Sequence, residues 1–351
     1  MRRLAFTTLL LALAAAQPTQ ARAPNPGELT SFKDWSVACD NLRTCVAFGW
    51  PAGDGIDQAW VKVARGGGGN DQPTVTIVMI PEDAGKPGVW RLAVDGKPVA
   101  ALGAVTFVID DVGGRRAVLT GGQARSLIDA LRGGSVMTAS QDGQTVLTIS
   151  LSGLSASLLW IDDHQKRIGT LSALTRKGAA PASGVPAVGP LPVIRVAAAA
   201  SQAGLPKAMP ATIKAMMGDE CDPANVGPSD EPIIARLGPG KVLWGPVCEA
   251  AAYNATSIFF IADEQGRGAA RVVFPEPPGA AASDTLTNAD YDPKTRIMST
   301  FSKGRGMGDC GSQASWVWDD ARFQLLSETV MSECKGVPSE DWPSIWRAQV
   351  R

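Results

Sequence analysis

The sequence predicts an α+β protein of two strand-rich domains with a few short helices, stapled by local disulfides. Three observations carry this. Short runs rich in Val, Ile and Thr alternate with Gly-containing turns such as Asp95-Gly96 and Asp142-Gly143, the pattern of antiparallel hairpins. Six cysteines fall into three close pairs, and a stretch poor in charge and large side chains, residues 177–192, divides the chain.

Residues 1–23 read as a secretory signal. Arg2 and Arg3 give the positive start, Leu4 to Ala16 the apolar run, and Ala21-Arg22-Ala23 a small-x-small cleavage site. The run is too short for a permanent span, which takes about 20 apolar residues. Losing this segment removes three arginines and no acid, taking the formal charge from -1 to -4. No basic face or run is visible, so nucleic acid is not an expected partner. The reading is a periplasmic or secreted protein with no transmembrane segment after signal removal.

The first domain, 24–176, opens with Trp35 and the loop from Cys39 to Cys45, which holds Asp40, Asn41 and Arg43 between two short strands. The GGGGND run, 66–71, reads as a flexible turn, and Pro73 to Ile80 as a strand. Leu127, Ile128 and Leu131 place a short helix over Ala124–Arg132, stopped by Gly133-Gly134. Leu154, Leu158, Ile161, Ile168 and Leu171 fall at helical spacing, with Asp162, Asp163, Lys166 and Arg167 interleaved, and predict a longer amphipathic helix. The lone His164 stands one turn from Trp160, with no Cys, His or acid constellation around it to suggest catalysis.

The second domain, 193–351, is read as a strand near Val193–Val196, a helix over Ala211–Met217, and strands near Ile233–Leu237, Lys241–Trp244, Ser257–Ala262, Arg271–Phe274 and Arg296–Phe301. Residues 280–290 read as loop, and Trp342 with Trp346, four apart, suggests a short docking helix.

Exported cysteines are most simply disulfides, and clustering pairs Cys39 with Cys45, Cys221 with Cys248, and Cys310 with Cys334. Zinc fails on spacing, with no C-x-x-C, and on supply, His164 being the only histidine. No metal or organic cofactor is implied.

The densest chemistry lies in Lys303–Gly311, KGRGMGDCG, followed by WVWDDARFQL. Its glycines could aim backbone N–H groups at an anion beside Lys303 and Arg305. The same stretch also reads as a structural corner in which Asp309 caps backbone groups or pairs with Arg305. It is not a phosphate loop, because no Gly-Lys-Ser/Thr follows. Trp316 and Trp318 lie on one face of a strand, answered by Phe323 and Leu325 across a turn at Asp319-Asp320; such a pair is either a sugar-stacking platform or core. A Ser-His-Asp or Cys-His arrangement lacks its histidine.

Trp35 with CDNLRTC, the block from Ser150 to Thr170, Ala252–Asn254, Leu286–Asp292, KGRGMGDCG and WVWDDARF together resemble the bacterial exported family of unknown function 1176. That resemblance spans nearly the whole chain after the signal, and implies an address and a domain order but no reaction. Asp320 departs from it, since the resembling pattern has Gly there. The first half is also similar, through the Trp35 to Cys45 spacing, to the invasion-associated locus B family, which would imply an envelope role.

The expectation is an exported, non-catalytic binding or interaction protein of the cell envelope, whose contacts come from Lys303, Arg305, Asp309, Trp316 and Trp318. Its partner would be an envelope protein, a glycan or a small anionic ligand. The alternatives are a hydrolase of cell-wall or carbohydrate substrate using carboxylates such as Asp309 and Asp319, and an inhibitor of a secreted enzyme.

Overall fold

The computed structural model describes residues 29–53, 58–80, 87–110, 113–196, 198–218, 221, 226–227 and 231–351. The stretch read as a signal, 1–23, lies outside them. Among the described residues the chain is mostly β, 42% strand and 12% helix with three α-helices, in keeping with the strand-rich reading. Among the described residues no helix is long and apolar enough to cross a membrane.

In the first half, strands β1 (Thr30–Phe32), β2 (Trp35–Cys39), β3 (Cys45–Gly49), β4 (Ala59–Arg65), β5 (Thr74–Met79), β6 (Gly88–Val94), β7 (Lys97–Pro98), β8 (Val105–Ile109), β9 (Arg115–Thr120), β10 (Val136–Gln141) and β11 (Gln144–Ser150) form one sheet. Its order is β1-β2-β3-β4-β5-β9-β8-β6-β10-β11, with β7 beside β6. The two Asp-Gly turns form as read, Asp95 and Gly96 at φ 48° and 76°, Asp142 and Gly143 at 51° and 80°. Positive φ at both centres gives the turn a twist that matches paired strands. The sheet curls until its ends meet: Trp35 Nε1 donates to Ser150 O at 2.8 Å, and Ser150 N to Trp50 O at 3.2 Å. Helix α1 (Gly121–Leu131) buries Ala124, Leu127, Ile128 and Leu131 against this sheet, and α2 (Leu154–His164) packs on β1 to β3.

Helix α2 is shorter than the periodicity predicts. It ends at His164, Lys166 turns to φ 57°, and Ile168 and Leu171 are exposed. The cause is a buried polar node that overrides the apolar spacing. Asp162, fully buried, accepts Arg65 Nη2 at 2.7 Å, the amides of Leu174 and Thr175, and the Thr175 hydroxyl. Arg167, equally buried, leaves the helix to donate to Gly69 O at 2.8 Å and to Gly68 O. The GGGGND turn is therefore anchored by an arginine that satisfies its carbonyls, and is not the free turn its composition suggests. Burial draws the Arg65 guanidinium down to about 10, with Asp162 opposing.

The second half divides its strands among smaller sheets. Strand β12 (Val193–Ile194) runs parallel to the last strand, β25 (Gln349–Val350), and α3 is Ala211–Met216. Strands β13 (Ile233–Gly238), β14 (Lys241–Gly245), β17 (Phe260–Ala262) and β18 (Ala270–Arg271) form one sheet, and β15 (Val247–Ala250), β16 (Ala255–Ile258) and β19 (Thr285–Thr287) another. The largest joins β20 (Asp290–Asp292), β21 (Ile297–Lys303), β22 (Gly311–Trp318), β23 (Phe323–Met331) and β24 (Ser344–Arg347) in that order. The stretch read as loop thus contains β19. The tail forms no helix: Pro338 and Pro343 interrupt it, Trp342 follows a 3-10 turn, and Trp346 lies in β24.

All three predicted disulfides form, Cys39–Cys45, Cys221–Cys248 and Cys310–Cys334. Each half has its own apolar clusters, and a further cluster joins Phe48, Trp50, Trp60 and Val78 of the first to Met331, Val337 and Trp342 of the second. Buried Asp40 in the Cys39–Cys45 loop accepts Arg347 Nε at 2.5 Å, and Asn41 exchanges two hydrogen bonds with the Arg347 backbone. Residues 177–192 lie along the first half, where Arg43 Nη2 donates to Pro186 O and Ala187 O.

The polar node makes a specific demand on stability. Asp162→Ala leaves the Arg65 guanidinium buried without its carboxylate and is expected to cost about 3–5 kcal/mol, read as a lowered urea midpoint. An unchanged midpoint would contradict the structural role of the node.

Candidate functional site

Strands β21 and β22 pair in register from Ile297↔Val317 to Lys303↔Gly311 and are joined by the glycine-rich corner. Gly311, at φ 134°, has no room for a side chain, since a Cβ would lie 1.9 Å from Ser302 O. The corner satisfies itself. Gly304 N donates to Cys310 O at 2.8 Å and Gly308 N to Arg305 O at 2.9 Å, so these amides are not free for an anion. Arg305 forks onto buried Asp309, with Nε to Oδ1 at 2.7 Å, and also donates to Cys334 O at 3.0 Å. Asp309 accepts Gly336 N at 2.7 Å. Burial opposes ionisation of Asp309, but Arg305 and the Gly336 amide outweigh it and hold the carboxyl below its usual range.

Two other segments converge here. Asn254 Nδ2 donates to Lys303 O at 2.9 Å, while Asn288, at φ 48°, donates to Asn254 Oδ1 and to Phe301 O. These asparagines tie β19 and the segment before β16 to the corner. Sequence reasoning quoted both segments without assigning them a role. Lys303 Nζ lies 5.5 Å over the Phe301 ring, at a hollow of about 370 Å³ shared with Gln58 and Ile80 of the first half.

Trp316 and Trp318 are each 2% exposed, which makes them core rather than a surface platform. They oppose Leu325 and Phe323 in register across the Asp319-Asp320 turn, as their spacing predicts. Asp320 takes φ 78°, the left-handed conformation that the glycine of the resembling pattern would adopt easily. Asp319 accepts the amides of Ala321 and Arg322. Asp309 and Asp319 are thus occupied separately and do not form an acid pair.

Trp316 also has a directional role. Its Nε1 donates to Pro275 O at 2.6 Å, and its ring lies 5.2 Å from Phe274, fixing the segment that carries Glu276. Beyond this aromatic floor lies a groove of about 470 Å³. Its walls are largely apolar, with Val193 and Ile194 of β12, Val273, Leu325 of β23 and Trp346 of β24, and Glu276 stands among them. Volume and lining match a small-molecule site, typically about 300–1,000 Å³ with few polar groups.

Glu276 and Glu328 of β23 influence each other electrostatically through their carboxyls. Glu328 Oε2 is buried and accepts no hydrogen bond from an N–H or hydroxyl. Like charges on neighbouring carboxylates repel, which favours the protonated form of one of them. Burial pushes both upward; for Glu328, burial and then the Glu276 charge raise the carboxyl to about 8. No sequence signal marks this pair. Glu276 lies among prolines and Glu328 mid-strand, and only the tertiary fold brings them together.

A family model described as protein of unknown function, DUF1176, matches residues 29–349. The chain is 30% identical over 365 aligned positions to the Uncharacterized protein YpfG of Escherichia coli (strain K12), covering 97% of this chain and 99% of that relative. No solved structure matches.

The raised pair fixes the sign of a pH dependence. The folded state holds the Glu328 proton more tightly than the unfolded chain, so its contribution to stability is fully present below about pH 4.5 and is lost as pH rises to about 8. Glu328→Gln should flatten that decline, measured as urea midpoints at about pH 5 and about pH 8.5. An identical slope in the variant and the parent would contradict the raised Glu328 carboxyl.

Proposed function

The chain belongs to the family of unknown function DUF1176, and from that premise we propose that it is a non-catalytic, extracytoplasmic binding protein of the cell envelope. The observation that carries this reading is the largely apolar groove of about 470 Å³ with the single carboxyl of Glu276 in its wall. Three disulfides support an oxidising compartment, and with the leader read at 1–23 they favour the periplasm. In this reading the two halves are domains joined through 177–192. The second supplies the ligand contacts, and the first buttresses it through the shared aromatic cluster and the Asp40–Arg347 pair.

The predicted site residues take a supporting role. Arg305 and Asp309 fasten the corner to the segment after Cys334, and Trp316 holds the Pro275 carbonyl next to Glu276. Lys303 remains available to a partner at the hollow between the halves.

The second reading is a carboxylate-dependent hydrolase, which needs two acids about 5 to 10 Å apart in an open cleft; Glu276 in the groove wall is the acid that favours it.

Native mass spectrometry of the oxidised protein isolated from an envelope extract tests the binding reading. The parent should carry a small-molecule load that is lost in Ala282→Trp, a substitution at an exposed position in the groove wall. An unloaded parent, or an equal load in both, would overturn it. Turnover of a cell-wall glycan by the parent and not by Glu276→Gln would replace it with the hydrolase.

A further inference from the structure

The five-stranded sheet has a second face, turned away from its aromatic core. Side chains alternate along a strand, so Met298 and Trp316 enter the core while Ser299, Phe301, Gln313 and Ser315, all half-buried, point the other way. The register sets them in two rows across β21, β22 and β23: Phe301, Gln313 and Thr329 in one, Ser299, Ser315 and Ser327 in the next. These rows line a hollow of about 380 Å³ that shares no wall residue with the groove at β12.

Charge, hydrogen bonding and topology each restrict what this hollow can hold. No residue lining it is charged. Arg347, beside Ser327 on β24, is committed to Asp40 at 2.5 Å. An ion entering here would lose water without meeting an opposite charge.

The polar groups on offer are unused or half used. Among the described residues nothing hydrogen-bonds the Gln313 side-chain amide. The hydroxyls of Ser315 and Ser327 bond each other at 2.7 Å, which engages one proton and leaves the other free. Ser299 makes only a long contact, 3.5 Å, to Asp290 O. Asn288 at the rim is engaged by Ala255 N, Asn254 and Phe301 O, and Thr329 Oγ1 lies buried out of a ligand's reach.

Strands β21, β22 and β23 are each paired on both sides, so their backbone groups are spent within the sheet. A peptide cannot add here as a further strand, and recognition falls to side chains. Hydroxyls and a carboxamide both donate and accept, as sugar hydroxyls do; an apolar ligand would leave them unpaired. Phe301 supplies an apolar surface at one end.

We propose that this face binds a neutral saccharide, with sugar hydroxyls bonded to Gln313, Ser315 and Ser327 and a C–H face against Phe301. The hollow lies at the small end of ligand sites, about 300–1,000 Å³, the size of a mono- or disaccharide. The site is separate from the groove and does not depend on what the groove holds.

Amide NMR titration of the full oxidised chain tests this, with glucose, galactose and N-acetylglucosamine as neutral probes and glucosamine and glucuronate as charged ones. At least one neutral sugar should bind saturably, with shifts centred on Gln313, Ser315 and Ser327, and both charged sugars at least roughly tenfold more weakly. Gln313→Leu, which removes the amide at similar size, should weaken the neutral sugar about fivefold, and Ala282→Trp in the groove should leave it unchanged. Ser327→Ala serves if the first variant does not fold. Failure of all three neutral sugars to bind, equal affinity for a charged sugar, or an undiminished affinity in Gln313→Leu would overturn the proposal. Shifts confined to the groove and lost in Ala282→Trp would also overturn it, and would assign the sugar to the groove instead.

Discussion

A charge removed from water must be met by an opposite charge or be neutralised by a proton, and this constraint organises the whole structure. Asp162 is met by Arg65, which ties α2 to β4 and sets where the helix stops. Asp40 is met by Arg347, which ties the first disulfide loop to the strand near the end of the chain. Asp309 is met by Arg305, which closes the glycine-rich corner onto the segment after Cys334. Each pairing costs desolvation, and each is surrounded by hydrogen bonds that offset it. Their value lies in fixing one arrangement of elements that apolar packing alone would leave degenerate.

Glu328 meets the same constraint by the other route: burial, with the Glu276 charge beside it, raises its carboxyl to about 8 and so favours its neutral form. The fold supports the pair from behind: the corner holds β21 to β22, Trp316 on β22 holds the Pro275 carbonyl, and Pro275 carries Glu276. The residues that drew attention in the sequence thus act through position.

Much of this fold is legible in the sequence because it is local. Asp-Gly turns, close cysteine pairs, and the Trp316 and Trp318 alternation against Phe323 and Leu325 are set by neighbours a few residues apart. The structure has them as read. The strand-rich character with a few short helices is as read. The periodicity that extends α2 to Leu171 is real in the sequence but loses to the buried demands of Asp162 and Arg167. Their partners at Arg65 and Gly66–Gly69 are far away in the chain. The spacing of Trp342 and Trp346 suggests a helix only if Pro338 and Pro343 are disregarded. The groove is illegible for the same long-range reason: β12, β23, β24 and the Pro275 segment meet only in the folded chain, and neither glutamate has a motif.

The most direct test of the account is a titration of the glutamate side-chain carboxyl carbons by NMR in the oxidised, ligand-free protein. The account predicts that Glu276 and Glu328 titrate as a coupled pair whose last proton leaves near pH 8, far above the ordinary glutamate value of about 4.3. If both carboxyls are fully ionised by about pH 5, Glu328 does not meet its burial with a proton, and the constraint that organises the structure fails there.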